Sequence, residues 1–61
     1  MFKELDVIRA RRRLSPFVEF GTLGTIVLKH NEDDYEIEFV DEQGQTLDLL
    51  TVNKNDIELL S

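Results

Sequence analysis

Apolar and polar residues alternate most regularly in YEIEFVD, residues 35–41. Tyr35, Ile37 and Phe39 fall on one side of an extended chain, with Glu36, Glu38 and Val40 on the other. That period of two predicts a strand with one buried face. Upstream, residues 23–30 (LGTIVLKH) carry an unbroken apolar run opened by glycine, the pattern of a well-buried strand. Gly21 and Gly24 sit where the chain turns onto that strand, and glycine serves either a positive φ or a close backbone approach. The polar stretch Asn31–Asp34 predicts a turn that makes 23–30 and 35–41 a hairpin. The stretch Asp41–Gly44 predicts the next turn, and QTLDLLTV, residues 45–52, the strand that returns. In that strand Leu47 and Leu49 share one face but Leu50 and Val52 share the other, a change of phase that predicts a bulge or a strand that bends between two sheets.

The two ends complete a small all-β domain. Residues 5–12 (LDVIRARR) read as a strand with Leu5 and Val7 on one face and Ile8 and Ala10 on the other. Residues 13–22 form a long connection, in which Pro16 holds Ser15 extended. Phe17, Val18 and Phe20 are expected to close one end of the core; any left outside would form a contact surface. Residues 53–56 fit one helical turn with Asn53 as its cap acceptor, and residues 56–60 a short closing strand with Ile57 and Leu59 on one face. A strand, a long loop, a three-strand meander, a helical turn and a returning strand make the order of a five-stranded SH3-like barrel. The whole chain, 1–61, reads as this single domain, with an OB-like barrel as the runner-up. Closure would limit exposed edges, the main hazard for so short an all-β chain.

Length and charge narrow the function classes. Sixty-one residues bury a thin core, so a closed sheet or a covering partner is expected to help. The chain has no cysteine and a single histidine, which leaves no thiolate or His-rich metal site. No apolar stretch is long enough to span a bilayer, and the charged N-terminus lacks the apolar core of an export signal; the cytoplasm is the expected location. The net charge is −6 but unevenly placed: residues 1–13 carry +3 and residues 14–61 carry −9. An acidic face keeps a small domain soluble and steers a cationic partner toward it.

No catalytic constellation stands out, and no cofactor is expected. His30 lies near Glu32, Asp33 and Asp34, but at a hairpin tip and with no cysteine in the chain; Ser15 lies in the loop and Ser61 at the end. The turn Asn31–Asp34 lacks the spacing and glycine of a calcium loop, and GTLGT lacks the Lys-Ser/Thr of a phosphate loop. A polyproline groove needs more surface aromatics than Phe2, Phe17, Phe20, Tyr35 and Phe39 supply once Tyr35 and Phe39 enter the core. Arg9, Arg11, Arg12 and Arg13 permit contact with nucleic-acid phosphates, and strand alternation would put Arg9, Arg11 and Arg13 on one face. Pairing with the chain's own carboxylates is the favoured alternative, because the remainder would repel a polyanion.

The segments MFKELDVI, GTLGTIV, YEIEFVDEQGQT and LLTVNKNDIELL, taken in order, resemble a family of very short bacterial domains of unknown function. The resemblance covers Met1 to Leu60, and departs from the family pattern in the loop RRRLSPFVEF. Genes of such domains often neighbour genes for small nuclease-type toxins, so the resemblance implies an antitoxin or immunity role. The leading expectation is a non-enzymatic protein-interaction module. Its acidic face, Glu36, Glu38, Asp41, Glu42 and Asp48, would occlude a basic nuclease-type partner, with Phe17 and Phe20 as apolar anchors. The alternatives are a nucleic-acid-binding barrel using Arg9–Arg13 and a structural subunit of a larger complex. An edge-to-edge homodimer stays open.

Overall fold

The alternating segments become one five-stranded antiparallel sheet in the computed structural model, which describes residues 1–60. The strands are β1 (Val7–Ala10), β2 (Leu23–Lys29), β3 (Asp34–Val40), β4 (Thr46–Asn53) and β5 (Ile57–Leu59), with a 3₁₀ turn at Lys54–Asp56. Their order across the sheet is β4-β3-β2-β1-β5. The last strand thus returns beside the first, the order expected of an SH3-like barrel. Hydrogen bonds do not close the sheet: β4 and β5 are its two edges.

One side of this sheet curls around the core. Ile8, Ala10, Val18, Ile26, Tyr35, Ile37, Phe39, Val52 and Ile57 are buried, and Phe2, Leu14 and Leu50 pack against them. Tyr35, Ile37 and Phe39 point inward as their alternation predicts. Tyr35 meets Phe2 edge to face at 5.5 Å and donates its hydroxyl to the Glu32 carbonyl at 3.0 Å, so the polar tip of a buried ring is satisfied. The β4 bulge is present: register passes from Phe39↔Asp48 to Val40↔Thr46 and leaves Leu47 without a partner. Asn53 caps the 3₁₀ turn by accepting from the Asn55 N–H.

Three expectations change. The run on β2 is not well buried: Gly24 and Ile26 face the core, while Leu23, Val27 and Leu28 are exposed. An antiparallel sheet covers one face only, so alternation leaves Leu23 and Val27 outside, and an irregularity between Ile26 and Leu28 sets Leu28 opposite Glu36 and turns it outward as well. The two glycines divide the tasks open to them. Gly21 takes φ +89°, whereas Gly24 has no special φ but lies against Ile37, Glu38 and Phe39. In the loop, Val18 is buried but Phe17 and Phe20 are 65% and 70% exposed, so the three do not close the core together. β1 is shorter than 5–12. Leu5 lies outside it at φ +73°, held by its N–H bond to the Ile26 carbonyl at 2.8 Å.

That Leu5 conformation is costly for a residue with a Cβ, about 1–2 kcal/mol. The side chain is 79% exposed, so glycine there would forfeit little packing. Leu5→Gly is expected to raise stability by about 0.5–1 kcal/mol, seen as a higher midpoint in urea with an unchanged slope. A lower midpoint would mean that the Leu5 side chain holds the entry to β1.

Candidate functional site

The loop between β1 and β2 is two β-turns in succession. In the first, the Ser15 carbonyl accepts from the Val18 N–H at 3.1 Å, and Pro16 takes the position where its fixed φ is favoured. In the second, the Glu19 carbonyl accepts from the Thr22 N–H at 3.1 Å, with Gly21 supplying the positive φ of the third residue. Phe17 and Phe20 each occupy a central position of one turn. A turn aims its central side chains away from the chain it reverses, which is why both rings stand in solvent while Val18 packs inward.

The loop is tied down at several points. The Leu14 N–H donates to the Val18 carbonyl at 2.9 Å, the Phe17 N–H to Ser15 Oγ at 3.2 Å, and the Glu19 N–H to Thr22 Oγ1 at 3.0 Å. Ser15 Oγ in turn donates to Asp48 Oδ2 across to β4 at 2.9 Å. Arg13 reaches Glu19 at 3.3 Å. Two large apolar rings are therefore presented on a backbone that is already fixed.

The five acidic candidates do not form one surface. Glu36 and Glu38 share the outer face of β3: Glu36 is flanked by Leu28 and Thr51, and Glu38 by Thr25 and Leu49. Glu36 lies 3.4 Å from His30 Nε2, and Glu38 accepts from the Thr46 hydroxyl. Asp41 belongs to the β3–β4 turn, where Oδ1 accepts from the N–H groups of Gln43 and Gln45 at 2.8 and 2.9 Å. Glu42 beside it is exposed. Asp48 is registered opposite Phe39, on the side of the sheet that carries the core. Besides Ser15, it accepts from the outward N–H of Leu49 at 3.0 Å, filling one donor of the free β4 edge.

Three of the four candidate arginines, Arg9, Arg12 and Arg13, pair with the chain's own carboxylates. Arg9 pairs with Glu58 at 3.0 Å, and Arg12 holds Asp56 through two bonds of 2.9 and 3.1 Å. Because β1 ends at Ala10, Arg11 and Arg13 lie beyond the strand and do not join Arg9 on one sheet face. The acidic hairpin tip is likewise engaged: Lys29 pairs with Glu32, and Lys54 with Asp33 at 2.9 Å. The bonds to Asp56 and Asp33 raise the basicity of Arg12 and Lys54 above their ordinary values. A raised cation contributes stability at and below its ordinary value, 10.5 for lysine, and loses it as pH climbs past the folded value, so these pairs hold throughout the neutral range.

Sequence patterning did not single out one further feature. Thr22, Leu23, Val40, Asp41, Glu42 and Leu47 line an open groove of about 240 Å³ at the end of β2, β3 and β4. Its one signal in sequence was Val40, an apolar residue on the outward side of a strand whose other outward residues are glutamates. Among the described residues no cluster of His, Asp or Glu is arranged to hold a metal, and no helix is long and apolar enough to cross a membrane. The His30 imidazole meets Glu36 rather than the carboxylates of Glu32, Asp33 or Asp34, its backbone N–H donates to the Asp34 carbonyl at 3.0 Å, and Ser61 lies outside the described residues.

Residues 4–59 match the family described as Domain of unknown function (DUF4926). The chain belongs to that family. The match spans all five strands of the DUF4926 domain, and includes the two-turn loop with Phe17 and Phe20. No curated protein and no solved structure matches the chain. For this DUF4926 domain, function has to be argued from the surface just described.

Proposed function

We propose that this domain is a non-enzymatic protein-binding module that occludes a partner, with Phe17 and Phe20 as its apolar anchors. The observation that carries the reading is the pair of phenylalanines, 65% and 70% exposed, on consecutive hydrogen-bonded turns. Aromatic anchors dominate protein interfaces, and a loop already ordered loses little entropy on docking. Glu36, Glu38 and Glu42 add the charge that a cationic partner would meet. In its sharpest form the module is an antitoxin or immunity-type inhibitor, whose carboxylates take the place of phosphates in the cleft of a nuclease-type partner. The pairing of Arg9, Arg12 and Arg13 with carboxylates counts against the nucleic-acid alternative.

The test is affinity capture by the tagged domain from its source cells, with and without nuclease treatment, followed by titration of the recovered protein. The expected result is one stoichiometric protein that survives nuclease. Phe17→Ala/Phe20→Ala should weaken its binding about 100-fold or more, as loss of two anchor residues does. Glu36→Lys/Glu38→Lys should slow association and flatten the salt dependence. Recovery of nuclease-sensitive material alone, or binding unmoved by the phenylalanine changes, would overturn the reading.

A further inference from the structure

We infer that the groove over Leu23, Val40 and Leu47 is a second docking site, for an extended protein segment in which an apolar side chain adjoins an arginine or lysine. This rests on the reading of the domain as a protein-binding module, but on a floor, Leu23, Val40 and Leu47, that includes neither Phe17 nor Phe20. The groove floor is apolar and lies on the outer side of the sheet. Leu23 is 45% exposed, and Leu47, left unpaired by the bulge, lines the same groove from the other side of Val40. A volume of about 240 Å³ falls below the roughly 300–1,000 Å³ typical of small-molecule sites. It suits one or two side chains of a larger partner rather than a cofactor.

The rim decides the charge of the occupant. Asp41 is fixed there by the two N–H bonds of its turn. Glu42 is exposed and is in no ion pair among the described residues. Glu38 is the next outward residue along β3. An apolar floor beside carboxylates complements a segment that is itself apolar and cationic. A second copy of this chain, at net −6, would bring like charge to the same rim. An anionic lipid surface would be repelled in the same way.

The experiment is selection of a random heptapeptide display library on the immobilised domain. Enriched peptides would then be synthesised, titrated, and mapped by amide NMR shifts. The expected peptides place Arg or Lys next to Leu, Ile, Phe or Met, move the amides of Leu23, Val40, Glu42 and Leu47, and bind more weakly as salt is added. Leu23→Ser and Glu42→Lys should each weaken them about tenfold or more. Glu42 is an exposed turn residue in no ion pair among the described residues, so Glu42→Lys is expected to leave the fold intact, which the amide spectrum of the variant checks. Phe17→Ala/Phe20→Ala should leave peptide affinity unchanged. Enrichment of nothing, enrichment without basic residues, shifts confined to residues 11–22, or a concentration-dependent dimer through the groove amides would each overturn the assignment. If the captured natural partner loses affinity with the phenylalanine variants but not with Leu23→Ser or Glu42→Lys, the groove assignment falls and the module reading stands.

Discussion

Gly24→Ala is expected to lower the melting temperature by about 10–20 °C, although it adds one methyl group. A Cβ at this position would lie 2.7 Å from Ile37 Cγ2, 3.0 Å from the Glu38 carbonyl oxygen and 3.0 Å from Phe39 Cδ1. The isoleucine could rotate, but the carbonyl belongs to the adjacent strand, and moving it disturbs the register that pairs Gly24 with Phe39. Overpacking of this kind costs about 1–3 kcal/mol, and a core this small supplies only about 3–5 kcal/mol in total. Gly21→Ala is the informative comparison. Nothing lies within 4 Å of a Cβ at Gly21, so only the strain of φ +89° is incurred, about 1 kcal/mol or a few degrees. Thermal melts followed by far-ultraviolet circular dichroism separate the two. Equal, small shifts would mean that β2 and β3 move apart freely, contrary to the packing described.

The second large effect concerns the same side chain at three places. Phe39→Ala empties the centre of the core, where the ring is fully buried. Loss of a buried phenylalanine costs about 3–5 kcal/mol, which equals the stability available, so this variant is expected to be unfolded at room temperature. Phe17→Ala and Phe20→Ala remove rings that are mostly in water, and each should change stability by less than about 0.5 kcal/mol. Amide dispersion in proton NMR distinguishes folded from unfolded at once. If Phe17→Ala or Phe20→Ala also collapsed the spectrum, the loop aromatics would belong to the core, and their role as anchors would have to be withdrawn.

That contrast marks where sequence reading reached its limit. Tyr35, Ile37 and Phe39 were legible because alternation on a one-sided sheet maps directly onto burial. The Leu47 bulge showed as a slip in that same phase, and Asn53 as a polar residue before a helical turn. Phe17, Val18 and Phe20 carried no such signal. Hydrophobicity alone treats them alike, and it is the positions of Ser15, Pro16 and Gly21 in two turns that send Val18 inward and the phenylalanines out. β2 misled for a related reason: a continuous apolar run predicts burial on both faces, whereas this sheet has only one covered face. The acidic candidates do not share one surface, since Asp48 turns toward the core side and Asp41 Oδ1 is engaged by the N–H groups of its own turn. Only cross-strand register could separate those two from Glu36 and Glu38.

The placement of β5 beside β1 also sets an order of events in folding. β2, β3 and β4 are joined by short turns and can pair as soon as neighbouring stretches meet. Ala10↔Ile57 instead joins opposite ends of the chain, and the entropy of closing that long segment has to be met before the contact returns anything. The meander is thus the natural nucleus, and the seam between first and last strands zips afterwards. Ile57→Val should speed unfolding while leaving the folding rate almost untouched, as a change outside the nucleus does. The same seam is where the native protein would open first, so the amides of β1 and β5 should exchange with solvent ahead of those in the central hairpins.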